Sequence, residues 1–140
     1  MNVRAVTTSA ERAAAYDVRR RVFQDEQGVP ADLEFDADDE LAAHVIATVD
    51  GTVVGTGRVV LHDDDAKIGR MAVLPQWRKH GIGRALLAAL LREASRRGAT
   101  RAVLHAQVHA LGFYAREGFT AVGEEFEEAG IPHRRMEREL

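Results

Sequence analysis

The apolar positions of this chain follow two rhythms, one of period two and one of about 3.6 residues. The rhythm changes along its length. Asn2–Thr7 alternates and reads as a short strand. Ser9 is a candidate N-cap, and Arg12–Phe23 follows as a helix with Val18, Val22 and Phe23 on its buried face. Gly28-Val29-Pro30 breaks that helix. His44–Val49, Thr52–Leu61 and Ala66–Leu74 are strand-like runs. Asp50-Gly51 between the first two suits a type I′ hairpin, which needs positive φ at both positions. Asp63-Asp64-Asp65 makes the second turn. The clearest element is a helix over Gly81–Arg97, where Leu86, Leu87, Leu90, Leu91 and Ala94 recur at helical spacing and Gly98 is the stop. Arg101–Val108 reads as an apolar strand and Ala110–Arg116 as a short helix closed by Gly118. Phe119–Glu125 and His133–Glu139 form a last strand pair around Ala129-Gly130-Ile131-Pro132. The order β-α-β-β-β-α-β-α-β-β, hairpins first and then strands alternating with helices, predicts an α/β fold on a mixed sheet. With no repeat, low-complexity tract or long linker, residues 1–140 make one domain.

Composition removes several classes of function. The chain has no Cys, which excludes disulfides, Cys-based zinc sites and any route through a cysteinyl thioester. A net charge of −3 argues against a general nucleic-acid binder. No apolar run approaches the roughly 20 residues of a membrane span. The first residues, Met1–Ala5, alternate and lack a signal-peptide apolar block, so the expectation is a soluble cytoplasmic protein. Charge is unevenly placed. Gln24–Glu40 carries Asp25, Glu26, Asp32, Glu34, Asp36, Asp38, Asp39 and Glu40 with no Lys or Arg. It reads either as a solvated acidic loop or as a rim whose field draws in a cationic substrate.

The strongest chemical signal is Arg78-Lys79-His80-Gly81-Ile82-Gly83. It lies between the apolar run Met71-Ala72-Val73-Leu74-Pro75 and the amphipathic helix, at a strand-to-helix junction. The first turn of a helix has N–H groups without intrahelical partners, and the helix dipole adds positive potential there. Gly81 and Gly83, having no Cβ, let a bulky anion come close, so the loop suits a phosphate or pyrophosphate. A dinucleotide fingerprint fails because Leu86 fills the third glycine position, and a Walker A loop fails because Gly-Lys-Ser/Thr is absent.

Downstream stands Ala110-Leu111-Gly112-Phe113-Tyr114-Ala115-Arg116-Glu117-Gly118-Phe119. Together with the loop, this block resembles the GNAT superfamily of N-acetyltransferases, which carries Gln/Arg-x-x-Gly-x-Gly/Ala and later an aromatic-Tyr-x-x-x-Gly-Phe block. The resemblance covers nearly the whole chain. Arg20-Arg21-Val22-Phe23, Glu26-Gln27-Gly28-Val29-Pro30, His105-Ala106-Gln107 and Gly130-Ile131-Pro132-His133 look like its ElaA-like and YjcF-like branch.

The resemblance implies a single-domain acyl-CoA N-acyltransferase fold: a mostly antiparallel sheet with splayed central strands, flanked by helices. It implies an acetyl-CoA site in which the amides of His80, Gly81, Ile82 and Gly83, with Arg84, hold the pyrophosphate. Arg78 and Lys79 would supply charge. Met71, Ala72 and Val73 would pair with the pantetheine arm, and an N–H near Val73 would polarise the thioester carbonyl. Tyr114 would be the general acid that serves the departing thiolate. Many members have Asn seven residues before that Tyr, bonded to the CoA arm; here the position is Gln107, the same amide on a longer stem.

The general base has three candidates, Glu26, His105 and His133, with a water chain as the alternative to all of them. A lysine-like ammonium, of pKa about 10.4, must lose a proton before it attacks. His105 and His109 stand four apart but straddle a strand end, without His-Glu-x-x-His or any Cys, so no metal is expected. The reading is acetyl transfer from acetyl-CoA to a small-molecule or peptide amine, in a ternary complex. Its rival is a GNAT-like module that holds acyl-CoA without turnover. No nucleic-acid or membrane partner is expected, and a homodimer is left open, dimers being common in the family.

Overall fold

The computed structural model describes residues 1–140. The strands are β1 (Asn2–Ala5), β2 (Ala43–Val49), β3 (Thr52–His62), β4 (Asp65–Val73), β5 (Arg101–Gln107), β6 (Thr120–Glu128) and β7 (Ile131–Glu139). The α-helices are α1 (Ser9–Arg19), α2 (Ala31–Glu34), α3 (Ile82–Arg96) and α4 (Leu111–Arg116). One seven-stranded sheet runs in the order β1-β2-β3-β4-β5-β7-β6, antiparallel except for the central β4–β5 pair. This is the mixed, mostly antiparallel α/β sheet that the element order predicts. Asp50 and Gly51 take φ of 49° and 79°, and Ala129 and Gly130 take 52° and 76°, so both hairpins close on two left-handed residues as type I′ turns require. No helix is long and apolar enough to cross a membrane.

The two long helices pack on opposite faces of the sheet, and β3 shows why. A Cβ on Gly57 would lie 2.8 Å from Leu90, and one on Gly55 would lie 3.0 Å from Leu86. These two positions face α3 and are bare so that its Leu86–Leu90 ridge can sit against the backbone. Arg58 points the other way and reaches residues beside α1. Leu86, Leu87, Leu90 and Ala94 are buried, as their spacing predicts, and join Val45, Val59, Ile68 and Leu104 in the core.

The first helix departs from expectation. Thr8, not Ser9, is its N-cap, in a capping box with Glu11. The α-helix ends at Arg19, and Arg20–Glu26 continues it as a wider π-type turn ending before Gly28, whose φ is 74°. The apolar spacing of Val18 and Val22 runs through both segments, so periodicity alone does not separate them.

The acidic segment is not wholly a loop. It folds into α2 and a 3₁₀ turn over Ala37–Glu40, and Glu34, Asp36 and Asp39 turn to buried arginines while Asp25, Glu26, Asp32 and Glu40 stay exposed. Arg19 is 1% exposed and donates to Glu34 at 3.0 Å and to Asp39 at 2.7 Å. Arg58 donates to Asp36 and Asp39, each at 2.7 Å. Arg70 reaches Asp36 at 3.2 Å and the carbonyl of Glu34 at 2.8 Å. Three guanidinium groups thus meet three carboxylates. Burial works to raise the Asp39 pKa, but the hydrogen bonds from Arg19 and Arg58 outweigh it and hold the group below the usual range. Hydrogen bonding from Arg58 lowers Asp36 in the same way.

Candidate active site

The site opens where the central strands part. β4 and β5 pair only from Asp65–Arg101 to Ile68–Leu104. Beyond that, Gly69–Val73 and His105–Gln107 diverge. A bulge helps to aim β4: Arg58 faces Gly69 and Thr56 faces Ala72, so two residues, Arg70 and Met71, oppose Gly57 alone. Arg70 takes φ of 52°, and its side chain is fastened to α2. The Leu74 N–H closes on the Val54 carbonyl at 2.9 Å. By antiparallel alternation, the N–H and C=O of Val73, opposite Gly55, turn away from β3 and into the splay. Here is a strand edge able to accept an amide-containing arm.

The mouth of the splay is formed by the loop and the start of α3. Lys79 and Gly81 have φ of 65° and 79°. None of the backbone N–H groups of residues 79–84 donates to a carbonyl or side chain. They are a cluster of unpaired donors at the positive end of a fifteen-residue helix. The two glycines have different reasons. Nothing lies within 4 Å of a Cβ on Gly81, which is required for its backbone conformation rather than for room. A Cβ on Gly83 would touch the Phe113 ring at 3.6 Å. The side chains differ from expectation as well. Arg78 is already paired within the protein: its Nε–H donates to the Val73 carbonyl at 2.9 Å, and its two other nitrogens clamp the Glu26 carboxylate at 2.7 and 2.6 Å. Arg84 pairs with Glu117 at 3.1 Å. Lys79 and His80 are exposed.

Tyr114, on α4, is partly buried against Phe113 and Phe119, with its hydroxyl 3.6 Å from Met71 Sδ across the cleft. Burial pushes its pKa up to about 12, so the phenol keeps its proton at neutral pH. Gln107 is engaged at both ends of its amide. It exchanges hydrogen bonds with Gln27 at 2.9 and 3.3 Å, and its oxygen accepts from His109 at 2.7 Å. The cleft enclosed by these groups has a volume of about 640 Å³ and is also lined by Glu26, His105 and His133.

The acceptor side holds a cluster that the sequence does not announce. His105 Nδ1 lies 3.1 Å from Glu128 Oε1, and His133 Nε2 lies 3.7 Å from the other oxygen of the same carboxylate. Phe126 packs edge-on to His105 at 5.0 Å and stacks on His133 at 6.0 Å.

A family model described as an acetyltransferase (GNAT) domain matches residues 6–140. The chain belongs to the GNAT family of acetyltransferases. The uncharacterised N-acetyltransferase YjcF of Bacillus subtilis is 37% identical over 123 residues, spanning 87% of this chain and 88% of YjcF. The protein ElaA of Escherichia coli is 33% identical over 133 residues, spanning 91% and 86% of the two chains, and its crystal structure superposes with a TM-score of 0.87. The crystal structure of an acyl-CoA N-acyltransferase from Pseudomonas aeruginosa, 31% identical, covers 99% of each chain with a TM-score of 0.88. These relatives agree with the ElaA-like and YjcF-like resemblance of the sequence.

Within this GNAT domain, Val73, Tyr114 and, from the loop and helix start, Arg78 and Gly83 line one cleft. The donor set fits an acyl-CoA: unpaired N–H groups for phosphate at the mouth, and a strand edge for an amide-bearing arm behind them. Of the three candidate bases, Glu26 is taken up by Arg78, whose hydrogen bonds lower its pKa and make it a weaker proton acceptor. His133 is 7% exposed, with Nδ1 donating to the Ile131 carbonyl at 2.7 Å. His105 and His109 do not converge: one ring turns to Glu128, the other to Gln107. Sequence reasoning missed Glu128 altogether. The signal that finds it is the Ala129-Gly130 turn, which sets Glu128 opposite Ile131 at the end of a hairpin beside β5.

Proposed function

We propose that the chain transfers an acetyl group from acetyl-CoA to the primary amine of a small molecule or peptide, directly, in a ternary complex, in the cytoplasm. The observation that carries this reading is the meeting of three features at the splay: the unpaired N–H groups of residues 79–84, of which Gly83 lines the cleft, the Val73 N–H and C=O turned into the splay, and the Tyr114 hydroxyl facing Met71. When bound, acetyl-CoA supplies an activated acyl group as a thioester. The loop amides hold its phosphates. Met71, Ala72 and Val73 hold its arm, with the Val73 N–H aimed at the carbonyl oxygen where negative charge develops. Gln107 and Arg78 flank the arm; each exchanges an internal partner for it on binding. Tyr114, protonated at neutral pH, gives its proton to the leaving sulfur. With no cysteine in the chain, a cysteinyl intermediate is ruled out, which leaves direct attack by the amine.

The test is a panel of amines with acetyl-CoA, read as release of free thiol, to which a cysteine-free protein adds no background. Tyr114→Phe keeps the ring and its packing. It should lower turnover by about 100- to 10,000-fold while leaving acetyl-CoA affinity unchanged. Tight CoA binding without thiol release from any amine would overturn catalysis in favour of a binding module.

A further inference from the structure

His105 stands one residue past Leu104, the last β5 residue paired to β4, and so at the vertex of the splay. It shares a strand face with Gln107, about 6.6 Å away along the strand. Its Nδ1 is 3.1 Å from Glu128 Oε1. Hydrogen bonding from His105 holds the Glu128 carboxyl below the usual range. An ionised carboxylate only accepts, so Nδ1 carries the hydrogen, and Nε2 of the neutral ring is a bare lone pair. That Nε2 has no partner in the protein, and the side chain, 25% exposed, lines the cleft. A carboxylate that fixes the tautomer and steadies the cation formed on protonation is what turns an imidazole into a directed base.

Neither of the other two candidates is arranged this way. In His133, Nδ1 lies 2.7 Å from the Ile131 carbonyl and Nε2 lies 3.7 Å from Glu128, so both ring nitrogens are turned to protein groups. Glu26 is clamped by Arg78. The charged and titratable groups around His105 are Glu128 of β6, His133 and Arg135 of β7, and Lys67 of β4. Arg135 is turned to Glu137 at 2.9 Å, which leaves Glu128 as the ring's hydrogen-bonded partner.

We propose that His105 is the catalytic base that takes the proton from the acceptor's ammonium, and that Glu128 is its positioning residue. This rests on the acetyl-transfer reading above. The ammonium passes one proton to His105 Nε2, and the freed nitrogen lone pair bonds to the acyl carbon. As the C–S bond breaks, its electron pair leaves on sulfur, which takes a proton from Tyr114. The new amide nitrogen gives up its second proton to water. Tyr114 is reprotonated from water and His105 releases its proton to water, so the sum is ammonium plus thioester giving amide, free thiol and one proton.

The experiment separates deprotonation from every other step. Thiol release is measured with an alkylamine, which is an ammonium at pH 7, and with an arylamine, which is already neutral. His105→Gln should lose about 100-fold or more with the alkylamine and stay near wild type with the arylamine. Its kcat/KM for the alkylamine should climb about tenfold per pH unit from 6 to 9, following the neutral fraction of an amine of pKa about 10.4. Glu128→Ala should show the same selectivity with a smaller loss. Two-bond ¹H–¹⁵N spectra of the ligand-free protein should show the Nδ1–H tautomer at His105, and Glu128→Ala should abolish that preference. Tyr114→Phe, which acts on the leaving group, should slow both amines alike. Equal loss on both amines in His105→Gln, a wild-type rate with the alkylamine, or an Nε2–H tautomer at wild-type His105 would overturn the assignment. Failure of the wild type to acetylate any amine would overturn the acetyl-transfer reading and this one with it, a result distinct from selective loss in the variants.

Discussion

On the α1 face of the sheet, Arg19, Arg58 and Arg70 end on Glu34, Asp36 and Asp39. At the start of α3, the N–H groups of residues 79–84 end on nothing. The first region is dense in formal charge, and Arg19, Glu34, Asp39 and Arg58 in it are buried. The second owes its positive potential to these amides and the exposed Lys79, because Arg78 and Arg84 already have carboxylate partners. Formal charge is therefore a poor guide to where a ligand goes. A charge whose partner is built into the fold has its field cancelled within a few ångströms, whereas an unpaired amide keeps its full demand for an acceptor.

The sharpest way to break the contrast is to remove one member of the closed region. Arg19→Leu would strand the Glu34 carboxylate, 1% exposed, and leave Asp39 with Arg58 alone, and should cost about 3–5 kcal/mol of stability in urea unfolding. A loss under about 1 kcal/mol would mean that the network is incidental. The open region should respond in affinity instead. Gly83→Val sets a branched side chain beside the loop amides and Phe113 and should weaken CoA binding by roughly tenfold to a hundredfold, about 1.4–2.8 kcal/mol of affinity, with unfolding little changed. Calorimetry showing unchanged affinity would remove the loop from the binding site.

Acid probes the closed region more gently. Asp36 and Asp39 have folded pKa values depressed below the unfolded value of about 3.9. Their contribution is complete above that value and is lost as pH falls through the folded ones, so the urea midpoint should hold from pH 7 to 5 and drop below about pH 4. A midpoint that already falls between 7 and 5 would point to other groups. The smallest effect is expected at Asp38, whose carboxylate has no partner: Asp38→Asn should change stability by less than about 0.5 kcal/mol. It should also leave the salt dependence of amine KM unaltered, and a salt-sensitive rise in KM would revive the steering rim.

The contrast also explains what could be read before the structure. Asp50-Gly51, the Leu86–Ala94 stripe and Gly98 act through neighbours in sequence, and each lies where expected. The Tyr114 block and the loop were legible because their spacing is itself the signal. The inward turn of Glu34, Asp36 and Asp39 was missed because their partners Arg58 and Arg70 come from β3 and β4, and no local pattern encodes that meeting. Glu128 stayed hidden for the same reason: its approach to His105 depends on β7 lying between β5 and β6.

The contact between Arg78 and Val73 bears on what the inner edge of the sheet can pair with. A sheet that opens in its middle gains an inner edge, and an edge with free N–H and C=O groups is a template for any extended chain that drifts by. Here the bidentate pair with Glu26 bolts a guanidinium over the Val73 carbonyl, so the exposed length of that edge is broken by a cation at its outer end. A small flexible ligand can displace one hydrogen bond there. A strand of another molecule would have to displace it, lose its own solvation and fit between diverging strands at once. The gap between the diverging strands is thus capped at its outer end by the residue to which the family resemblance gives only a supporting charge.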